Sequence, residues 1–440
     1  MKRFLLIVLV LVMVLSCVSV LAAPKVTLRY ALWDANQKPA MEAAIAAFMK
    51  ANPDIEVKME LTEWNDYWTK ITTGVAAGTM PDVFWGHIAY FSSLASKGAI
   101  MDLNPFIKKD KIDLSVYYPG LTANWSYHGK QFGLAKDWDT ICYAYNKDMF
   151  AQAGITAPEK WTWNPKDGGS FLQDLKKLTV DVNGKNATEE GFDKTKVVRY
   201  GIAGFNAGEI QTGWINFVWM NGAPGSGVLD KPFGTKFALD NPKAVEALQF
   251  YFDLTNKYGV SPQTDNQGFA GGAWDLWLAK KTAIYPCGSW MLGAARSNAK
   301  FVWDVAPLPA GPAGRISAFN GLAHNIAAKT KYPDAAWKLV KWMDGPEGQK
   351  IIAGYGCCFP SIKSIVPVYM AASKEKGPAH IQYYFDEAAG KTGEYPMHVN
   401  WAQMWDVINR ELTSAYSGFE TVKEAVANIK AEITPLLGGK

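Results

Sequence analysis

VTLRYALWDANQKPAMEAAIAAFMKANPDIEVKMEL, residues 26–61, shows the clearest secondary-structure pattern in the sequence. Apolar and polar side chains alternate over 26–32 and again over 55–61, as they do in half-buried strands. Between them, apolar residues recur at the spacing of one helix face: Met41, Ala44, Ile45 and Phe48. Repeated strand–helix–strand order needs crossover connections, so the stretch predicts an α/β protein with a largely parallel sheet.

The pattern continues beyond this stretch and then starts a second time. A helix is predicted over 65–77 and a short buried strand over 81–85. Further along, the periodicity predicts a helix over 171–178, a strand over 197–203 and a helix over 242–258. Neither a repeat nor a low-complexity linker separates the two regions, so we expect two α/β lobes joined by several short segments.

The first 22 residues have the composition of a secretory signal. Lys2-Arg3 precede an apolar run, and small residues follow at Ala22-Ala23. This pattern predicts cleavage after Ala22 and export to a periplasmic or extracellular location. A lipid anchor on Cys17 stays open as an alternative. No later apolar run in the sequence is long enough to span a bilayer.

Composition argues against some functions and leaves others open. The 45 basic and 41 acidic residues nearly balance, which argues against nucleic acid as a partner. Histidines and cysteines form no HExxH or CxxC pattern, so neither a metal site nor a cofactor is predicted. An acid-rich segment at 183–193 leaves calcium binding open. Spacing does not give disulfide connectivity, so the pairing of four cysteines also stays open: Cys142, Cys287, Cys357 and Cys358.

Eighteen tryptophans in an exported chain point to carbohydrate. A tryptophan side chain offers a flat apolar face on which the C–H face of a pyranose ring stacks, whereas hydroxyl groups need carboxylate or amide partners. Tryptophans are nevertheless highly buried on average, so most are expected in the core. Four of them stay undecided between cleft and core: Trp33, Trp64, Trp138 and Trp274.

Four short motifs occur in a recognisable order: Phe84-Trp85-Gly86-His87, Tyr145-Asn146-Lys147-Asp148, Gly288-Ser289-Trp290 and Thr421-Val422-Lys423-Glu424. Together they resemble the sugar-binding proteins of ABC importers, the family of maltose-binding protein and of the glycerol-3-phosphate-binding protein (solute-binding protein family 1). The resemblance covers nearly the whole chain after the signal. It implies the α/β, type II periplasmic-binding-protein fold, in which two lobes enclose a ligand cleft and crossing hinge segments join them.

The resemblance also implies lobe boundaries. Lobe one comprises residues 23–140 plus 306–354, and lobe two comprises residues 141–305 plus 355–440. The crossings between the lobes are expected at three places: Leu134–Tyr145, Trp303–Pro307 and Gly354–Pro360. Closure of such a hinge around the ligand is a known switching mode of two-lobed proteins.

Site residues carry over from the resemblance position by position. Trp85, Trp290 and Trp405 match tryptophans that stack on sugar. Asp139 matches a cleft carboxylate at the first hinge, and Glu209 matches one in a loop of lobe two. The remaining candidates are polar contacts or neighbours in these loops: Asn36, Gln37, Lys38, Gln211 and Trp214.

This chain departs from the family pattern at two of these places. After Trp85, the maltose binder has an acidic and a basic residue where Ile88 and Ala89 stand here. After Glu209, Gln211 replaces an aromatic residue. These departures indicate a ligand with a hydroxyl pattern different from that of maltose.

The resemblance implies a binding protein and not an enzyme. It implies a monomer that binds a neutral mono- or oligosaccharide with high affinity and delivers it to the membrane permease subunits of an ABC importer. One alternative is a secreted glycoside hydrolase, which would also be rich in tryptophan and would need two carboxylates. Another is a binder of a phosphorylated polyol from the same family, which would place arginines near the cleft.

Overall fold

A computed structural model describes residues 25–263, 269, 271–374 and 376–438. The predicted signal, its cleavage site and Cys17 lie outside the described residues. Within the described ranges, no helix combines the length and the apolar composition that crossing a bilayer requires.

Strands are labelled in chain order as follows: β1 (Val26–Leu32), β2 (Ile55–Leu61), β3 (Val83–Gly86), β4 (Ser126–Tyr127), β5 (Lys130–Gln131), β6 (Leu134–Ala135), β7 (Asp137–Trp138), β8 (Ile141–Asn146), β9 (Val180–Asp181), β10 (Val197–Ile202), β11 (Thr282–Gly288), β12 (Trp303–Pro307), β13 (Ile316–Phe319), β14 (Ala323–Ile326), β15 (Phe359–Pro360) and β16 (Lys391–Glu394).

Helices are labelled in the same way: α1 (Lys38–Ala51), α2 (Trp64–Ala77), α3 (Ile88–Ser96), α4 (Asn104–Asp110), α5 (Lys147–Gln152), α6 (Gly169–Leu178), α7 (Ile215–Met220), α8 (Pro242–Asn256), α9 (Ala273–Leu278), α10 (Leu292–Asn298), α11 (Pro333–Met343), α12 (Pro346–Tyr355), α13 (Val366–Ser373), α14 (Gln382–Ala389), α15 (Trp401–Tyr416) and α16 (Val422–Ile433).

The first sheet has the strand order β2–β1–β3–β14–β6. β1 runs parallel to β2 along its whole length and parallel to β3, whereas β14 is antiparallel to its neighbours. The alternating strands and the helix predicted between them are confirmed. α2 ends where predicted, because Gly78 adopts the left-handed conformation (φ 69°) that closes a helix at little cost.

The second sheet has the order β12–β8–β11–β10–β9. β10 and β11 are parallel, and β8 runs antiparallel to both β11 and β12. Asn146 ends β8 and caps α5, since its side-chain oxygen accepts hydrogen bonds from the next helical N–H groups. The Tyr-Asn-Lys-Asp motif therefore forms a strand-to-helix junction.

Three segments join the two sheets. The chain leaves the first sheet after β6 and enters the second at β8, inside the predicted first crossing. β15, inside the predicted third crossing, pairs antiparallel with β7. The segment that returns from the second sheet to the first lies beside these two, because Asn320 forms an antiparallel β-bridge with Asp139. All three crossings therefore lie side by side, as the type II fold requires.

The second crossing does not lie at Trp303–Pro307, contrary to the expectation. These residues form β12 and pair with β8, from Trp303 opposite Asn146 to Pro307 opposite Cys142. β12 is the edge of its sheet, where a proline is tolerated because no ladder partner needs its missing N–H. The chain crosses only after Pro307, on its way to β14.

Two large apolar cores fill the molecule. One surrounds the first sheet and continues past Phe359 onto a face of the second sheet, where it includes Cys142 and Cys287. The other packs the second sheet against α8, α15 and α16. We keep the predicted lobe boundaries as a proposal, with residues 306–319 moved to lobe two, because β12 belongs to the second sheet and Leu308 and Ala318 pack in the second core.

Candidate ligand-binding cleft

A cleft of about 740 Å³ opens beside the crossing segments and is lined from both lobes. It lies at the carboxyl ends of β1 and β3, which is where open α/β sheets bind ligands. Three predicted site residues do not line it: Lys38, Trp85 and Trp214. The other seven do: Asn36, Gln37, Asp139, Glu209, Gln211, Trp290 and Trp405.

Lobe one contributes an aromatic wall that consists of Trp33, Trp64 and Tyr90. Trp33 directly follows β1, and Trp64 is the first residue of α2. Their ring centroids lie 5.1 Å apart at an interplanar angle of 85°. Tyr90 is fixed by parallel stacking on Trp68, with the centroids 3.8 Å apart. Trp33 and Trp64, which the sequence leaves undecided, therefore line the cleft.

Lobe two contributes a second aromatic wall that consists of Trp290, Trp401 and Trp405. The Trp290 ring folds over Gly288, where a Cβ atom would lie only 2.1 Å from the ring. The Gly-Ser-Trp motif thus needs its glycine to place the tryptophan. Trp401 and Trp405 are one helical turn apart on α15, with ring centroids 6.4 Å apart. Trp290 and Trp405 are half-buried and keep free surface for a ligand.

Trp85 is fully buried, at 0 % exposure, and does not reach the cleft. Its Nε1 donates to the Tyr30 hydroxyl at 2.6 Å. The Lys136 ammonium lies 3.9 Å from its ring centroid, and Trp33 packs edge-on at 5.1 Å. These neighbours occupy the space that a sugar would need, so the stacking role predicted for Trp85 is wrong.

Replacing Trp85 with phenylalanine should therefore lower stability and leave ligand affinity unchanged. The smaller ring leaves a cavity and removes the donor to Tyr30, so the free energy of unfolding should fall by about 1–3 kcal/mol. Denaturant unfolding and calorimetric ligand titration measure the two quantities. A loss of affinity of about tenfold with unchanged stability would restore a ligand contact for Trp85.

Trp214 and Lys38 also stay outside the cleft lining. Trp214 is buried and donates from Nε1 to the carbonyl oxygen of Ala207 at 3.1 Å, which fixes the loop that carries Glu209. Lys38 pairs with Glu42 one turn along α1, at 2.8 Å. Their predicted ligand contacts are corrected to structural roles.

Asp139 connects the hinge to lobe two. Its backbone exchanges hydrogen bonds with Asn320, and its Oδ1 accepts a hydrogen bond from Gln211 Nε2 at 2.5 Å. Burial, helped by the negative charge of Asp137, raises the pKa of Asp139 well above its usual value. The Asp139 carboxylate is thus poorly solvated, and any further hydrogen-bond donor in the cleft would stabilise its ionised form.

Glu209 lies where the loop of lobe two begins a single wide helical turn, Ile210–Trp214. Its Oε2 accepts a hydrogen bond from the Thr212 hydroxyl. Burial raises the pKa of Glu209, and the bond from Thr212 opposes that rise. Glu209 and Asp139 are therefore alike: each is a buried carboxylate in the cleft, and few protein donors compete with a ligand hydroxyl for its oxygens.

Lys136 is a buried cation behind the cleft that sequence reasoning missed. Its Nζ hydrogen-bonds to Asp137 and, at 3.0 Å, to Gln37 Oε1. Gln37 in turn donates from Nε2 to Asp34 at 2.9 Å. Lys136 therefore orients Gln37 directly and Asp34 through Gln37, and both of these residues line the cleft. Burial is the largest single effect and would lower the pKa of Lys136, but the charge of Asp137, its hydrogen bond and the neighbouring Cys358 together outweigh burial and raise the pKa. Lys136 is therefore charged.

His87 closes the side of the cleft between Trp64 and Asn320. Its Nδ1 accepts the backbone N–H of Ala89 at the start of α3, and its Nε2 contacts Asn320 Nδ2 at 3.1 Å. Burial lowers the pKa of His87 to about 4, so the ring is neutral at physiological pH. Ala89 lines the cleft, whereas Ile88 packs in the core of lobe two.

The acid-rich segment at 183–193 is held by a neighbouring carboxylate. Asp181, just before it, accepts hydrogen bonds from the backbone N–H groups of Asn183, Lys185 and Asp193. Its oxygens thus hold the loop together. Across the part of the chain that the structure describes, no group of three or more His, Cys, Asp or Glu side chains is arranged to hold a metal ion.

Comparison with known proteins agrees with this architecture. Residues 43–380 match the family described as bacterial extracellular solute-binding protein. The chain belongs to this family. As an extracellular solute-binding protein it is exported, and its family consists of binding proteins.

Individual relatives of this solute-binding protein cover most of its length. The multiple sugar-binding protein of Streptococcus mutans is 25% identical over 339 residues, which are 72% of this chain and 71% of the relative. The crystal structure of UspC from M. tuberculosis is 28% identical, with a TM-score of 0.72, and the match covers 93% of this chain and 100% of UspC. Lmo0181 from Listeria monocytogenes, solved with cycloalternan, shares the fold at 24% identity, with a TM-score of 0.80 over 94% of this chain and 100% of Lmo0181.

Proposed function

We propose that this solute-binding protein holds a neutral mono- or oligosaccharide in the cleft and delivers it to the permease subunits of an ABC importer. The observation that carries the proposal is the arrangement of two aromatic walls, one from each lobe, around a single cleft with carboxylates between them. Tryptophan faces bury the C–H surface of a sugar, and carboxylates accept hydrogen bonds from its hydroxyls. The name of the multiple sugar-binding relative supports the same ligand class.

The charge of the cleft favours a neutral ligand over a phosphorylated polyol. Among the described residues that line the cleft, none is Lys or Arg. The one buried ammonium close behind it, on Lys136, is already bound to Asp137 and Gln37. Among the described residues that line the cleft, the side chains that carry a full charge are carboxylates, which would repel a phosphate group: Asp34, Glu63, Asp137, Asp139, Glu209 and Asp406.

We propose that the protein acts as a monomer, by closing its lobes about the three crossings, and has no catalytic role. The rival function, glycoside hydrolysis, needs a carboxylic acid and a second carboxylate on either side of one glycosidic bond. Here Asp139 accepts from Gln211, and Glu209 from Thr212, which suits fixed acceptors of hydroxyl groups. Chromatography of a bound oligosaccharide after long incubation tests this, and shortened products would overturn the binding-only function.

A thermal-shift screen tests the ligand class. Neutral mono-, di- and trisaccharides form one arm, and glycerol 3-phosphate forms the charged arm. A ligand at 100 times its Kd stabilises the folded state by about 2.7 kcal/mol, so the melting temperature should rise with at least one neutral sugar. A rise with glycerol 3-phosphate alone would favour the phosphorylated-polyol function instead.

Ligand affinity should decrease as the pH is lowered from 8 towards 5. Ligand hydroxyls stabilise the ionised form of Asp139, so binding lowers a pKa that burial has raised in the free protein. Protons then compete with the ligand, and affinity is expected to be about three- to tenfold weaker at pH 5. Calorimetric titrations at several pH values measure the slope.

The matched control for this pH dependence is Asp139→Asn, which keeps the size of the side chain and the acceptor oxygen but cannot ionise. Its affinity should be lower than that of the wild type at pH 8 and should change less with pH. An identical dependence of ligand affinity on pH in both proteins would show that Asp139 does not contact the ligand.

A further inference from the structure

Two adjacent cysteines lie where lobe one passes into the hinge. Cys357 and Cys358 follow α12 and directly precede β15. Both side chains are buried, and their Sγ atoms are 3.9 Å apart, which is contact without a covalent bond.

The surroundings of this pair connect it to both lobes and to the cleft. β15 pairs with β7, the strand that carries Asp137. Arg296, on α10 of lobe two, donates to the carbonyl oxygen of Gly356 at 2.5 Å. Cys358 itself lines the cleft, which gives a small solute a route to the pair. A chemical change at these thiols therefore acts on the hinge and on the ligand site together.

We propose that Cys357 and Cys358 are a modification site, which a small disulfide oxidant converts to a vicinal disulfide that weakens ligand binding in the cleft. Disulfides form in the oxidising environments outside the cell, where this family works. The effect on the ligand rests on the proposed function, whereas the chemical modification does not.

The reaction is thiol–disulfide exchange in two steps. The Cys357 thiolate attacks one sulfur of the oxidant R–S–S–R, forms a mixed disulfide and releases R–S⁻. The Cys358 thiol loses its proton and displaces the second R–S⁻, so the protein loses two hydrogens and the oxidant becomes two R–SH. The hydrogen bond between the two thiol groups lowers the pKa of Cys357 against the opposing effect of burial, and the charge of Lys136 adds to the lowering.

The product should be reducible and should disturb the hinge. Successive Cα atoms are about 3.8 Å apart. This is shorter than the usual disulfide range of about 4.4–6.8 Å, so the bond is strained. Strained disulfides have high reduction potentials and are the labile ones. The strain acts at the entry to β15, which pairs with the strand that carries Asp137 and Trp138 at the cleft.

Mass spectrometry tests the modification. The folded protein is treated with oxidised glutathione, unfolded, alkylated and digested with trypsin, which releases residues 351–363 with both cysteines and no others. The expected peptide is unalkylated and two hydrogens lighter, and dithiothreitol restores double alkylation. Double alkylation after oxidation, a persistent glutathione adduct, or a bond to Cys142 or Cys287 would each overturn the proposal.

Ligand titration tests the consequence, with Cys357→Ser as the matched control. A sugar found in the thermal-shift screen should bind the oxidised protein at least about threefold more weakly than the reduced protein, since a preorganised site is disturbed. Cys357→Ser should bind equally with and without oxidant. Equal ligand affinities of the oxidised and reduced wild type would overturn the proposed effect of the disulfide on ligand binding. If no sugar binds at all, the proposed function fails, and the mass measurement still decides the modification.

Discussion

Replacing Trp290 with alanine is expected to weaken sugar binding by about 10- to 100-fold, because an aromatic face that buries the sugar ring is lost. The ring is half-buried, with free surface at the cleft, and rests on Gly288. Its removal should change the free energy of unfolding by only about 1 kcal/mol. Calorimetric titration and denaturant unfolding separate the two effects.

Two further variants control for the loss of an aromatic side chain. Trp290→Phe keeps a smaller aromatic face and should fall between the wild type and the alanine variant in affinity. Phe419→Ala removes a ring that is 86% exposed and outside the cleft, and should bind like the wild type. Unchanged affinity in Trp290→Ala would show that the lobe-two aromatic wall does not stack on the ligand.

Replacing Lys136 with methionine is expected to reduce the free energy of unfolding by about 3–5 kcal/mol. The methionine fills similar space but leaves the Asp137 carboxylate buried without its cation. Gln37 also loses the partner that orients it at the cleft, so ligand affinity should fall as well. Denaturant unfolding of the ligand-free protein gives the first quantity and calorimetry the second.

The double variant Lys136→Met with Asp137→Asn tests the cause of this loss. It removes both charges and keeps the oxygen that accepts the Leu322 N–H, so it should regain most of the lost stability. If the double variant were as unstable as Lys136→Met alone, the loss would come from packing and not from an unpaired charge.

The fold was predictable because its information is local. The alternation over 26–32 and the helix face from Met41 to Phe48 are properties of short segments, and glycine or proline marks most ends. The wrong second crossing shows the limit of this reasoning. The position of this crossing was carried over from the resemblance, and a proline argues against a strand inside a sheet, but the edge position lets β12 include Pro307.

The site was predictable only where a residue's neighbours in space follow from its position in the chain. Trp33 directly follows β1, and Trp64 follows the short loop after β2. Ligands bind at the carboxyl ends of such strands, so the positions of the strand ends alone could have favoured both residues as cleft residues. The burial of Trp85 depends instead on Lys136, about fifty residues away in sequence, lying over its ring. No local pattern reveals that contact.

We propose that one neutral sugar binds between the two aromatic walls. Calorimetric titration of the best neutral sugar from the screen, into wild type and into a variant with both Trp33→Ala and Trp290→Ala, tests it most directly. We expect one site per chain in the wild type and affinity reduced beyond detection in the double variant, because both walls lose a stacking surface. Binding of equal strength in the two proteins would contradict it.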